Sequence, residues 1–347
     1  MTEPGARPLP PRYSRRRVLQ ALGAATGAVA LGGCSTGGDG GAVAAPTSSG
    51  AAGAVAGKTV RAATFTNNHA AGPLYWPQFA PAGLDVEVTT LTSGTDMNQA
   101  LENDELDFAL FGIVNGMIES EQGLGSKIVA MAAKQGAGLV VRADSDLAEV
   151  ADLGGRRIAL FGPAFQLLVL YALLEEAGLD PESDVELLPI GYNDQPLALE
   201  QGAVDAFMGS EPNASRSIAS GVGRSLTNIY TTPIGQLNST IWASPRMVAE
   251  EPDLCRAAVE MQRGAADLLS PSGANDPDVW RDLVVEQFGL EDDVFAQLIT
   301  NCGAIWELTP FWTDQARAAG AKMADLGLLE AEPDYDDLIR TEYMPGA

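Results

Sequence analysis

Between residues 58 and 220, short strand-like runs alternate with helix-like runs of about ten residues, and this alternation constrains the chain more than any other feature. A helical crossover returns the chain to the same end of a sheet, so consecutive strands joined in this way run parallel and need helices to cover both faces. Residues 58–65 read as a first strand. Residues 84–91 alternate apolar and polar side chains and read as a second, with one buried face. Residues 107–111 are almost wholly apolar and read as a buried third strand, and 127–132 as a fourth. Helices are expected within 70–80 and over 96–103 and 113–123. An extended segment at 138–142 then leads away from this unit.

The same pattern restarts near residue 147. Strands are expected at 158–161, 185–190 and 204–208, and helices at 165–177, 196–201 and 212–220, with Gly178 as the C-terminal stop of the first helix. From residue 241 onward the pattern turns helical, over 245–269, 276–288, 292–301, 309–326 and a last segment near 335–343. The fold class expected is α/β, with two lobes of mainly parallel sheet flanked by helices. Residues 58–143 with 242–347 would form lobe 1, and 144–241 lobe 2. The 347 residues suit two such units, and 46% hydrophobic residues supply a core for each.

The first 57 residues have a different composition. Arg15, Arg16 and Arg17 stand directly before an uncharged run, 18–33, of mostly Ala, Gly, Leu and Val. That order is the charged region and apolar region of an export signal, and the run is too short and glycine-rich for a membrane span. The paired arginines resemble the twin-arginine motif, and Leu31-Gly32-Gly33-Cys34 resembles a lipobox, in which Cys34 becomes the lipid-bearing first residue. Residues 35–57 are nearly all small and polar and read as a flexible tether. The expected location is therefore outside the cytoplasm, at the outer face of the cell membrane through Cys34.

Charge excludes a class of partner. With 21 Lys and Arg against 46 Asp and Glu, the formal charge of −25 offers no basic face for a phosphate backbone, so nucleic acid is not an expected partner. Three cysteines and one histidine are too few for a structural Cys/His zinc site. No metal or other cofactor is expected. Cys255 and Cys302 are either a disulfide or two buried thiols, since the sequence does not give their separation.

Four segments occur in an order that resembles the periplasmic substrate-binding proteins of bacterial ABC importers, in the group that binds nitrate, taurine, alkanesulfonates and thiamine precursors. They are Asp107-Phe-Ala-Leu, Asp152-Leu-Gly-Gly-Arg-Arg-Ile-Ala, Leu173-Leu-Glu-Glu-Ala-Gly-Leu-Asp and Gln201-Gly-Ala-Val-Asp-Ala-Phe. The resemblance covers about residues 58–345. It implies a type II periplasmic binding fold with a ligand cleft between the lobes, a small-molecule ligand and an ABC permease as partner. Thr66-Asn67-Asn68-His69-Ala70-Ala71-Gly72 is similar to the Asn-His-x-Gly stretch of the pyrimidine-precursor binders and fungal pyrimidine synthases, with one extra residue before Gly72. The Cys-rich iron motif of those synthases has no counterpart here.

Ligands in open α/β sheets bind outside the carboxyl ends of the strands, which selects the candidates. Thr66, Asn67 and His69 follow the first strand, and His69 is either a ligand contact or a structural histidine. Tyr75 is placed to stack on a planar ligand, and Trp76 either stacks or packs into the lobe. Ser93 and Gly94 end the second strand, and Phe111 and Gly112 the third. Gly162, Ala164 and Phe165 lead into a helix whose N-terminus favours acceptor groups. Tyr192 and Asn193 follow the 185–190 strand. Glu211 follows the 204–208 strand and either faces the ligand, where it would suit an amino group, or is a solvated helix cap before Pro212. These loops contain no arginine, and Lys134 is the nearby cation, which favours a planar nitrogenous solute over an anion. Three functions remain open from sequence: a non-enzymatic solute-binding lipoprotein, a pyrimidine-synthase-like enzyme using His69, and a surface-tethered solute sensor. No Ser/His/Asp or Cys/His arrangement supports catalysis.

Overall fold

The computed structural model describes residues 51–65 and 72–346. The signal, Cys34 and most of the tether lie outside the described residues, as do Thr66, Asn67 and His69. Strands β1 (Thr59–Phe65), β2 (Asp85–Leu91), β3 (Phe108–Gly112), β4 (Lys127–Gln135), β10 (Leu237–Ala243) and β11 (Cys302–Ala304) form one sheet in the order β11-β4-β10-β3-β1-β2. Strands β5 (Ala137–Arg142), β6 (Arg157–Leu160), β7 (Glu186–Pro189), β8 (Ala206–Ser210) and β9 (Gly223–Ser225) form the other, in the order β7-β6-β8-β5-β9.

Parallel crossovers join three of the six strands of the first sheet and three of the five of the second. β1 pairs in parallel with β2 and β3, and β6 with β7 and β8. The expectation of mainly parallel sheets is corrected for the remainder, because β10 is antiparallel to β3 and β4, β11 to β4, and β5 to β8 and β9. β10 was not expected at all. It is buried at every one of its seven residues, but Asn238, Ser239 and Thr240 break its apolar run and hide it from a hydrophobicity pattern. Two-sided burial is consistent with its central place, whereas edge strand β2 keeps charged Asp85 and Glu87 exposed.

The chain leaves the first sheet between β4 and β5 and returns to it between β9 and β10. The sequence had placed 137–142 with the first lobe, and this segment pairs in the second sheet. At the first crossing Gln135 has φ 63° and Gly136 φ 83°. Two successive left-handed residues reverse the chain there, and the non-glycine one carries backbone strain.

Both sheets use one anchoring device. Asp107, 1% exposed, accepts the Arg61 backbone N–H at 2.8 Å, the Arg61 guanidinium at 2.8 Å and the Arg246 guanidinium at 2.6 Å. Asp205 accepts the Arg157 backbone N–H at 2.9 Å and its guanidinium at 3.0 Å. In each case a carboxylate just before the third strand of a unit clamps the arginine of the first strand. The two aspartates belong to two of the segments that carry the family resemblance, and in this chain their carboxylates tie strands together.

The C-terminal helices close over the first sheet. Helix Pro252–Leu269 places Leu254, Ala258, Met261 and Ala265 in a core with Val60, Phe108, Leu110, Val129 and Ile241. A second cluster joins Trp280, Leu283, Phe295, Leu298 and Cys302. The expected helix over 245–269 is two helices, divided at Glu251-Pro252, where the proline starts the second. Cys255 and Cys302 are not joined by a disulfide and sit in different apolar clusters. Burial pushes the Cys255 thiol up to about 12.

Candidate functional site

The carboxyl ends of β2 and β3 place Ser93, Gly94, Phe111 and Gly112 beside Phe65, the last residue of β1. Ser93 caps helix Gly94–Glu102, its hydroxyl accepting the Asp96 N–H at 3.1 Å. Gly94 packs so closely that a Cβ there would stand 3.2 Å from Cβ of Phe111 and 3.7 Å from the Phe65 ring. Strand alternation turns Phe111 inward. Its ring is wholly buried and stacks on Trp242 with centroids 4.9 Å apart and planes at 8°. Gly112, half-buried, opens helix Ile113–Glu121. The Phe111 ring is therefore part of the core.

On the second sheet the aromatic surface comes from an unexpected residue. β6 ends at Leu160, one position earlier than the sequence pattern suggested, so Phe161 projects from the strand end and is 40% exposed. Its ring meets Tyr192 edge-on, with centroids 5.4 Å apart. The Tyr192 hydroxyl lies 3.3 Å from the Phe161 carbonyl and 3.2 Å from Gln166 Oε1, and burial raises its pKa above that of an ordinary phenol. Phe165, in contrast, is 4% exposed and belongs to the core. Gly162 has φ 64° with open space where a Cβ would be, so glycine is required there by backbone conformation and not by crowding. Ala164 stands at the N-cap of helix Phe165–Glu176 and has no side chain able to cap it. The first amides of that helix are left for a solute or solvent. Asn193 accepts a hydrogen bond from Asn213 at 3.3 Å.

Trp76 takes the packing role. It is fully buried, its indole N–H donating to Gln262 Oε1 at 3.0 Å. The Gln262 amide N–H in turn donates to the Ile305 carbonyl at 2.9 Å, and a Cβ on Gly72 would stand 2.6 Å from Gln262 Oε1. Gln262 thus ties the segment just after Thr66, Asn67 and His69 to the C-terminal helix. Tyr75 is half-buried between the two apolar clusters of the first lobe, and burial raises its pKa.

Glu211 directly follows β8, which runs parallel to β6. It is 3% exposed and both of its oxygens are engaged, Oε1 by Asn301 Nδ2 at 2.6 Å and Oε2 by the Ser215 N–H at 3.0 Å. Burial pushes its pKa up against the opposing effect of these donors. Asn301 also donates to the Ala137 carbonyl at 2.9 Å and accepts from the Tyr230 hydroxyl at 2.6 Å. Ala137 N–H donates to the same hydroxyl at 3.2 Å. Through Asn301 and Tyr230 the Glu211 carboxylate is linked to Ala137, the first residue of β5. Phe161, Gln166, Gln262, Tyr230 and Asn301 escaped the sequence reading. Only Phe161 had a usable signal, an aromatic immediately before a glycine at a strand end.

Comparison with known proteins agrees with this architecture. A family model described as NMT1/THI5 like matches residues 78–274, more than half of the chain. No curated protein sequence matches. Among solved structures, the ligand-binding component of an ABC-type import system from Staphylococcus aureus, with zinc bound, superposes with a TM-score of 0.70 at 14% identity, covering 82% of this chain and 97% of that one. The periplasmic aliphatic sulphonate binding protein SsuA from Escherichia coli gives 0.69 at 16% identity, covering 81% and 92%. The desulfurization enzyme DSZB gives 0.64 at 19% identity, covering 82% and 97%. At these identities the likeness is one of fold, and the fold carries both binding proteins and an enzyme.

Proposed function

The chain belongs to the NMT1/THI5-like family, and from that membership we propose that it is an extracytoplasmic solute-binding protein of an ABC importer, held at the membrane by lipidated Cys34. It captures a small solute between its two lobes and delivers it to a permease. What supports this reading is that both sheets carry candidate groups at or just beyond the carboxyl ends of parallel strands: Ser93, Gly94 and Gly112 on the first, and Phe161, Gly162, Ala164, Tyr192 and Asn193 on the second. Thr66, Asn67 and His69 follow β1 and belong to the same proposed cleft. No catalytic step is assigned, and the solute is expected to leave unchanged.

The solute class we favour is small, planar and nitrogen-containing. The exposed Phe161 ring offers a stacking face, and Asn193 with the backbone amides near Gly162 offers hydrogen bonds. A sulfonate-type anion is the second reading, favoured by the uncapped helix start at Ala164. A thermal-shift screen of the full chain against pyrimidines, taurine, propanesulfonate and nitrate separates the two, because a ligand of the native state raises the melting temperature by mass action. Stabilisation by a pyrimidine that is lost in Phe161→Ala supports the first reading. Stabilisation by propanesulfonate alone replaces it with the second, and no shift with any solute removes the binding function.

A further inference from the structure

Helix Gly94–Glu102 begins at the carboxyl end of β2, and its apolar anchors, Met97 and Leu101, lie beyond its first turn. Within that turn Gly94 has no side chain, and the Ser93 hydroxyl accepts from the Asp96 N–H of the same turn. A polar stripe fastens the turn to the rest of the lobe. Thr95, Asn98 and Glu102 stand three and four positions apart, so they share one face of the helix. That face meets Glu119 of helix Ile113–Glu121 and Ser126 just before β4.

The bonds form one connected network. The Thr95 hydroxyl and Asn98 Nδ2 both donate to the Glu119 carboxylate, the amide at 2.6 Å. The Ser126 hydroxyl donates to Asn98 Oδ1 at 2.6 Å, and the Ser126 N–H to Glu102 at 2.9 Å. With its oxygen taken by Ser126, Asn98 presents a donor to Glu119. Asn98, Ser126 and Glu119 are 0%, 1% and 5% exposed, and a buried network whose members are satisfied holds its elements rigidly. Thr95 is joined to Gly94 by a single peptide, and Gly94 packs too closely on Phe111 for the turn to shift without consequence.

The electrostatics make this carboxylate responsive. Burial raises its pKa, the bonds from Thr95 and Asn98 oppose the rise, and Asp96 adds to it. Glu102 is engaged by Ser126, and Glu121 on the same helix accepts the Glu330 N–H. Helix Pro310–Asp325 also packs against Ile113–Glu121 and carries Asp314, Arg317, Lys322 and Asp325. Arg317 and Lys322 pair with Asp336 and Glu175.

We propose that Glu119 is a positioning residue for the strand-end cleft, which holds the first turn of helix Gly94–Glu102 through Thr95 and Asn98 and passes its own protonation state to the amide of Gly94. The inference rests on the cleft proposed above, to which Ser93 and Gly94 belong. Glu119 itself touches no solute and acts through the turn.

Two measurements on the full chain test it. The first needs no solute: the Gly94 amide signal, followed by NMR between about pH 4 and pH 9, should show an inflection above the ordinary glutamate value of 4.5. The inflection should persist in Asp96→Asn and vanish in Glu119→Gln. Its absence from the parent protein, or its survival in Glu119→Gln, overturns the proposal. Loss in Asp96→Asn instead assigns the signal to Asp96 and overturns it equally. The second is calorimetric titration with cytosine and with propanesulfonate. Glu119→Ala leaves Asn98 without its acceptor and should weaken the probe that binds by about tenfold or more. Glu119→Gln keeps an acceptor for Asn98 and a donor for Thr95, so affinity should return to within about threefold of the parent. Unchanged affinity in Glu119→Ala, or no recovery in Glu119→Gln, removes the positioning role. If neither probe binds the parent protein, the cleft reading has failed for these solutes, and the Gly94 signal alone decides whether Glu119 governs the turn.

Discussion

Two buried carboxylates with opposite surroundings show how much a single residue can decide. Asp107 faces two guanidinium groups and Glu211 faces none, only amide, hydroxyl and backbone donors. Replacing Asp107 with Ala removes charge-assisted bonds from two arginines that are each about one-third exposed, and should cost about 1.5–3 kcal/mol in urea denaturation. Asp205→Ala should cost less, because its side chain is 27% exposed and it serves one arginine. Equal losses would show that the clamp matters through its backbone bond alone. For Glu211 the prediction concerns pH. Burial raises its pKa in the folded state above the ordinary glutamate value of 4.5, so its contribution to stability is full below that value and is lost as pH rises through the folded pKa. Glu211→Gln lacks this loss. Its stability relative to the parent should therefore climb between pH 4.5 and pH 8, and a difference constant across that range would show that Glu211 ionises as freely folded as unfolded.

Among the elements, helix Ile113–Glu121 and β10 are fitted to each other through one missing side chain. A Cβ on Gly116 would stand 2.0 Å from the Trp242 ring, which itself stacks on Phe111. Gly116→Ala must displace either the helix or the indole and should destabilise by about 1–3 kcal/mol, as overpacking of a filled core does. Calorimetry measures this, and a neutral result would show that the helix slides freely on the sheet. The segment of residues 72–76 depends in the same way on Gln262. Gln262→Leu strands the buried Trp76 N–H, costing about 1–3 kcal/mol. It should also weaken cleft ligands by loosening the segment of residues 72–76.

At the scale of the whole molecule, the two sheets are joined by two chain crossings and by the bridge of Tyr230, Asn301, Glu211 and Ala137. We expect closure of the lobes to pivot there, at about residues 135–137 and 226–236. Solution scattering should show a smaller radius of gyration once a cleft ligand is saturating. Tyr230→Phe removes the hydroxyl that joins Ala137 to Asn301 and should shift the open and closed populations. An unchanged radius in both proteins would mean that binding needs no closure. Export and anchoring are tested separately. Lysine at both Arg15 and Arg16 should block translocation, and Cys34→Ala should release the protein from the membrane fraction. Retention of the Cys34→Ala protein would remove the lipid anchor.

The sequence by itself determined the α/β class, most strand and helix positions up to residue 220, and the helical character of the last hundred residues. Those properties are local: apolar periodicity, glycine stops and helix-starting prolines act within a few residues of each other. It also placed candidates at strand ends, because parallel crossovers leave every carboxyl end on one edge. What it could not decide was pairing between distant segments. β10 owes its central place to neighbours more than a hundred positions away, and its three polar residues are tolerated only because the sheet surrounds them. The same holds for side-chain direction. Phe161 and Phe165 look equivalent in sequence, yet one faces outward and the other fills the core, because the strand ends between them and the helix starts. Glu211 stands beside its helix partner Ser215 in sequence, but only the tertiary structure brings Asn301, ninety positions away, to its other oxygen.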